Sequence, residues 1–257
     1  MLRYYKPVRG KEYNRGYFSY ITESVINLLT FNNKHQDIIY YHDLKEIPGY
    51  GNDNIFEICF IQDSNDYLLN IDKYVNIDDN IVESLGFHIY DLTNLTYEQR
   101  VESEKIIKKY FKLNDESIFL FNKRLESIDY TKTIGVHRRA TDIITHHPII
   151  PLEKIFDEID LCEFDNIFLM CDNKFDYFKF KERYKDKLIC YDTYTSDDVD
   201  KPFFKSDNVD KNIKNHITEL VFGVTVLSNV KLLICSKSNL STFSILSNSK
   251  LKYKILE

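Results

Sequence analysis

The sequence predicts an α/β protein whose C-terminal half is built on a parallel sheet. Three observations carry this expectation. Four short apolar runs, TIGVH from Thr133, NIFLMC from Asn166, KLICY from Lys187 and KLLIC from Lys231, have the length and composition of buried strands. Stretches between them show helical spacing, as in Leu152, Ile155, Phe156 and Ile159 after Pro151. Three of the runs end in polar chemistry, HRRATD, CDN and CSKSN. In an open parallel sheet that is the edge at which ligands bind.

The elements follow in chain order. Gly16-Tyr17-Phe18-Ser19 precedes a helix predicted over Tyr20 to Thr30, and a short strand is predicted over Asp37 to Tyr41. A further helix is expected from Glu98 to Phe111. Between these lies a polar and aromatic stretch without a readable period. A boundary is expected near Ser127 to Lys132, dividing residues 1–130 from residues 131–257. Beyond it come strand 133–137, helix 151–159, strand 166–171, helix 175–184 and strand 187–191. An acidic loop over Thr193 to Asp210 leads to a long helix, 212–228. Strand 231–235, a polar turn opening a helix, and a last strand over 251–256 complete the chain. Strands alternating with helices imply right-handed crossovers and a parallel sheet.

Composition narrows the function classes. The 257 residues are 43% hydrophobic, enough for a core, and the net charge is −6. A bulk electrostatic grip on nucleic acid is not expected of such a chain. Five cysteines at 59, 162, 171, 190 and 235, with no CxxC pair, read as reduced thiols. The N-terminal MLRYYKPVRGKEY has no apolar core of a secretory signal, and no segment is apolar enough to span a bilayer. The expectation is a soluble, cytoplasmic protein.

The strand-end residues suggest anion chemistry. Arg138 and Arg139 are adjacent, so an extended backbone turns them to opposite sides, one toward a cleft and the other toward a surface carboxylate. A guanidinium fork suits phosphate oxygens. An isolated arginine is more often a salt-bridge partner. Here His137 precedes and Asp142 follows. Asp172 is either an acceptor for a base or ribose, or the N-cap of the next helix. Ser236, Ser238, Asn239 and Ser241 open a helix, where hydroxyls and N–H groups bind phosphate or simply cap. No Walker loop, GxGxxG or GxSxG is present. His137, His146 and His147 lack the spacing of a metal site, and no metal is expected. Histidine titrates near neutrality, so a general base is the better role for them.

With those residues in view, IGVHRRATD resembles the HxRxTD motif of the α-1,6-fucosyltransferase and nodulation fucosyltransferase superfamily, with its related cellular and viral glycosyltransferases. His137, Arg139, Thr141 and Asp142 match, and Arg138 takes the variable slot. NIFLMCDN is similar to that family's strand ending in an acidic pair, LSNVKLLICSKSNLSTF to its last motif, and RGYFS, with Gly16, to its opening glycine-aromatic motif. The resemblance runs over most of Arg15 to Leu246. It implies a GT-B-like fold of two Rossmann-like halves, the N-terminal one on the acceptor side. It also implies metal-independent, inverting transfer of a sugar from a nucleotide donor, GDP-fucose first, to a glycan acceptor, with no further cofactor. Carried over, Arg139 holds the β-phosphate, His137 contacts the nucleotide or its diphosphate, Asp172 or Asn173 binds guanine, and Ser238 and Asn239 take the diphosphate. Where the family carries a carboxylate as candidate base, this chain has His146 and His147, with Asp142 as orienting partner or alternative base. Where it carries an acidic residue on the long helix, this chain has Gly223. Another nucleotide sugar, or binding without turnover, stays open.

Overall fold

The computed structural model describes residues 2–7, 17–32, 38–43, 54–62, 75–76, 95–140, 149–191 and 213–257. Eight strands and seven helices lie among them. Three short strands, β1 (Leu2–Pro7), β2 (Ile38–Asp43) and β3 (Val75–Asn76), form a parallel sheet in the order β2-β1-β3. The second sheet contains β4 (Thr133–Arg138), β5 (Asn166–Cys171), β6 (Leu188–Ile189), β7 (Leu232–Ser236) and β8 (Tyr253–Leu256). Its order is β6-β5-β4-β7-β8 and every pair is parallel. The strand order reverses between β4 and β7, which makes that crevice the switch point of a doubly wound sheet.

Both faces of this sheet are covered, which is why its strands read as unbroken apolar runs. On one face, Ile134 and Val136 of β4, Ile167 and Leu169 of β5 and Ile234 of β7 share a core with two helices. These are α4 (Leu152–Asp160), through Ile155 and Ile159, and α5 (Lys174–Tyr184), through Phe180 and Tyr184. On the other face, Phe168, Met170, Leu233 and Cys235 join a larger core with α6 (Ile213–Leu227) and α7 (Asn239–Ser247). The period-2 alternation of strand side chains decides which residue serves which face.

The predicted helices and strands of the C-terminal half are present within one to three residues, as is the first helix, α1 (Tyr17–Asn32). The helix expected from Glu98 is α2 (Tyr97–Tyr110), started by a capping box between Thr96 and Gln99. Helix α3 (Asp115–Leu125) was not expected, and neither were β1 and β3. The stretch SIFLF in α3 reads as a run, not a stripe, and only Phe121 of its hydrophobics is buried while Ile118, Phe119 and Leu120 are exposed. The signals for α3 are its ends: Asn114 accepts from the Ser117 N–H, Asp115 and Glu116 open the first turn, and Lys123 and Arg124 close the last.

The helices before residue 130 pack onto the C-terminal sheet through α6 and α7. Arg100 of α2 donates to the carbonyls of Leu251 (2.9 Å) and Asn248 (3.3 Å). Arg124 of α3 makes a two-pronged pair with Glu219 (2.6 and 2.8 Å) and lies over the Phe222 ring. Phe243 of α7 meets Phe18 of α1 and Phe111 beyond α2 at centroid distances of 5.3 and 5.8 Å. Thus α7, whose residues Leu240 to Leu246 are all buried, is held from several sides.

Two glycines permit close packing of α6 on the sheet. A Cβ at Gly223 would lie 2.1 Å from Met170 Sδ, and one at Gly135 would lie 2.7 Å from Leu227 Cδ2. Gly223, where the resemblance led to an acidic residue, therefore faces β5 in the core. A carboxylate there would need a partner in an apolar layer. Gly223→Ala is expected to destabilise the fold by about 1–3 kcal/mol through overpacking, read as a lower denaturant midpoint with an unchanged slope.

Candidate functional site

The site grows out of the carboxyl end of β4. His137 and Arg138 are consecutive, so they leave the strand on opposite faces. His137 turns to the α7 face, where its Nδ1 lies 2.6 Å from Ser241 Oγ and 3.2 Å from Ser238 Oγ. Arg138 turns to the α5 face, where its Nε donates to Asp176 Oδ2 at 2.8 Å. Of the two arginines Arg138 is the one that pairs with a carboxylate away from the edge, and that carboxylate is buried, not on the surface.

Beyond the strand the backbone bridges the switch point. The Arg139 N–H donates to Ser236 Oγ at the end of β7 (3.1 Å), and Ser236 Oγ donates to the His137 carbonyl (3.4 Å). On the other side, the Ala140 N–H donates to Asp172 Oδ1 (2.7 Å) and the Asp172 N–H to the Arg138 carbonyl (3.3 Å). The Arg139 guanidinium is half-buried, with Nε 3.3 Å from Asp172 Oδ2. Arg139 is therefore tied to β7 by its backbone and to β5 by its side chain.

Two helices begin at this edge. Ser238 is the N-cap of α7, its Oγ accepting from the Ser241 N–H (3.1 Å). Ser241 Oγ in turn donates to the Ser236 carbonyl (2.9 Å). Asn173, not Asp172, is the N-cap of α5 and accepts from the Asp176 N–H (3.0 Å). Asp172 is left to hold the end of β4. Thr22 of α1 donates to the Asn239 carbonyl (3.0 Å), fixing the first turn of α7 from the N-terminal side.

The electrostatics follow from burial. Burial first, and then the charge of Arg139, push His137 down to about 3, so its imidazole is neutral at physiological pH. Among these groups the positive charge comes from the arginines. The Arg138–Asp176 pair is almost fully buried, and Arg138 Nη1 has no hydrogen-bond partner among the described residues.

The structure brings together His137, Arg139, Asp172, Asn173, Ser238 and Asn239 at one edge of the sheet. Gly16, Asp142, His146 and His147 lie outside the described residues. Sequence reasoning missed Ser236 as a bridge, Asp176 as the partner of Arg138, and Thr22. Among the described residues, no three His, Cys, Asp or Glu side chains are grouped to hold a metal ion, and no helix is long and apolar enough to cross a membrane.

The architecture is that of a doubly wound, GT-B-like α/β protein with its polar cluster at the switch point. By sequence, the chain matches no protein-family profile and no characterised protein. By structure, it resembles the fucosyltransferase NodZ from Bradyrhizobium, with a TM-score of 0.54 at 13% identity over 96% of this chain and 94% of that one. The α-1,6-fucosyltransferase NodZ soaked with GDP-fucose gives a TM-score of 0.56 at 13% identity, over 96% and 93% of the two chains. Arabidopsis thaliana FUT1 in complex with GDP gives 0.53 at 10% identity, over 99% of this chain and 70% of that one. At these identities the likeness is one of fold.

Two stability effects are expected. His137, at about 3, and His216, pushed by burial to about 4, are both below the 6.5 of a free imidazole. The unfolded chain therefore takes up protons first as pH falls through 6.5. Each histidine then removes up to about 1.4 kcal/mol per pH unit. The unfolding free energy should fall between about pH 6.5 and pH 5, above the range where carboxylates titrate. Denaturant curves across that window measure it, and His216→Gln should flatten the slope. Separately, Asp176→Ala should cost about 3–5 kcal/mol, since it leaves the Arg138 charge buried and unpaired.

Proposed function

We propose that the protein is a glycosyltransferase that moves a sugar, fucose from GDP-fucose first, onto a hydroxyl of a glycan acceptor, without a metal and with inversion. The observation that carries this reading is the cluster at the β4–β7 switch point. There Arg139, neutral His137 and the N-terminus of α7 converge. The fold is shared with NodZ, a structure of which was soaked with GDP-fucose.

The chemistry fits these groups. As the glycosidic bond to the diphosphate breaks, negative charge gathers on the leaving phosphate. A guanidinium held in place and the positive end of a helix dipole meet that charge without reorganising. One such preorganised donor is worth about 3–4 kcal/mol of transition-state stabilisation. Arg139 takes the β-phosphate in this reading, and Ser238 and Asn239 lie along the diphosphate. A neutral His137 adds a directional hydrogen bond and no charge. The acceptor hydroxyl must lose a proton, and His146, His147 or Asp142 takes it. Residues 1–130, Gly16 among them, supply the acceptor side.

Calorimetric or thermal-shift titration without metal tests the donor site, using GDP, UDP, GDP-fucose, GDP-mannose and UDP-sugars. Guanine-selective binding that Arg139→Ala weakens is the expected result. Selectivity for UDP would replace the donor, and binding of none of these by the folded protein would overturn the reading. For the proton, His147→Ala is expected to lose at least about 100-fold in transfer rate, the scale of general-base catalysis, with nucleotide affinity retained. Transfer at the wild-type rate would remove His147 from the mechanism.

A further inference from the structure

Asp172 lies where the resemblance looks for a contact to guanine, and both of its carboxylate oxygens meet groups of the protein itself. A carboxylate that reads guanine uses both oxygens as acceptors for the N–H groups of the base edge. Here Oδ1 accepts from the Ala140 N–H at 2.7 Å, and Oδ2 faces Arg139 Nε at 3.3 Å. The Asp172 N–H donates to the Arg138 carbonyl. Three consecutive residues at the end of β4 are thus tied to this one aspartate. We propose that Asp172 is a positioning residue that orients the Arg139 guanidinium for the diphosphate, and that the buried Arg138–Asp176 pair fixes the turn carrying it.

The supporting geometry continues into α5. Asn173 caps that helix by accepting from the Asp176 N–H, and Asp176 then reaches back to Arg138 Nε. The end of β4 and the start of α5 are therefore cross-braced at two points, Arg138 to Asp176 and Arg139 to Asp172. A buried ion pair contributes little net stability compared with apolar packing, and less when a guanidinium nitrogen is unsatisfied. Its effect here is positional: it sets where Asp172 stands. A guanidinium held along its Nε edge has a fixed plane, and a planar fork in a fixed plane is what grips phosphate oxygens bidentately. The alternating faces of β4 make the arrangement possible, because Arg138 reaches α5 while Arg139, past the strand, stays at the edge.

This inference rests on the donor-site reading above, and the experiment separates the two. Wild type, Asp172→Asn, Asp172→Ser, Arg139→Ala and the Asp172→Asn/Arg139→Ala double variant are titrated with GDP, GMP, guanosine and ADP. Asp172→Ser retains an acceptor for the Ala140 N–H, and thermal melts identify which variants fold. Loss of the Asp172–Arg139 ion pair predicts a roughly 10- to 100-fold weaker GDP affinity in the Asp172 variants. Guanosine affinity and the preference for GDP over ADP should be unchanged, and Asp172→Asn should add nothing in the Arg139→Ala background. Weaker guanosine binding with the guanine preference erased would overturn the proposal in favour of a base contact. Unchanged GDP binding, or full additivity of the two substitutions, would also overturn it while leaving the donor site intact. A wild type that binds no nucleotide would overturn the donor site and this role together.

Discussion

The parallel pairing of β4 between β5 and β7 is the constraint on which the rest of the structure depends. It places three carboxyl ends side by side, and each carries polar residues that are far apart in sequence. It also gives β4 two different faces. His137 meets the α7 helix on one, and Arg138 meets α5 on the other. Neither side chain has a use without its neighbouring strand, because a lone histidine or arginine buried there would lack a partner.

The packing around α7 turns this arrangement into a defined site. A helix buried on every side has no solvent for its hydroxyls, so they bond within the protein. Thr242 and Ser244 donate to carbonyls four residues back, and Ser241 donates to Ser236. Phe243 is pinned by aromatic rings before residue 112, and Thr22 holds the Asn239 carbonyl. The N-terminus of α7 is thus positioned by the first half of the chain as well as the second. In the proposed donor site precision depends on that support, since a displaced donor loses most of its electrostatic effect.

Charge and burial divide the labour among the polar residues. His137 is neutral because burial and Arg139 both oppose its proton. The buried Arg138 guanidinium is paired with Asp176 in the interior. Arg139 is half-exposed at the edge, where a guanidinium remains reachable from solvent. Adjacent residues of similar type, Arg138 and Arg139, thereby take different roles, one bracing the fold and the other facing the crevice region.

The sequence by itself determined the α/β class, the C-terminal strands and helices, and the polar strand ends, because apolar runs and helical spacing are local signals. It also pointed to His137, Arg139, Asp172, Asn173, Ser238 and Asn239 as residues of one edge. It did not reveal α3, whose apolar residues are mostly exposed and whose signal lies in its caps. Nor did it show that Asn173 caps α5 while Asp172 holds Arg139, since both residues suit either task. Only the tertiary structure decided strand order, the face each side chain serves, and the partners Arg138–Asp176 and His137–Ser241. Those pairs are 38 and 104 residues apart in the chain. Local pattern carries no information about such contacts; the crossovers that fold the sheet create them.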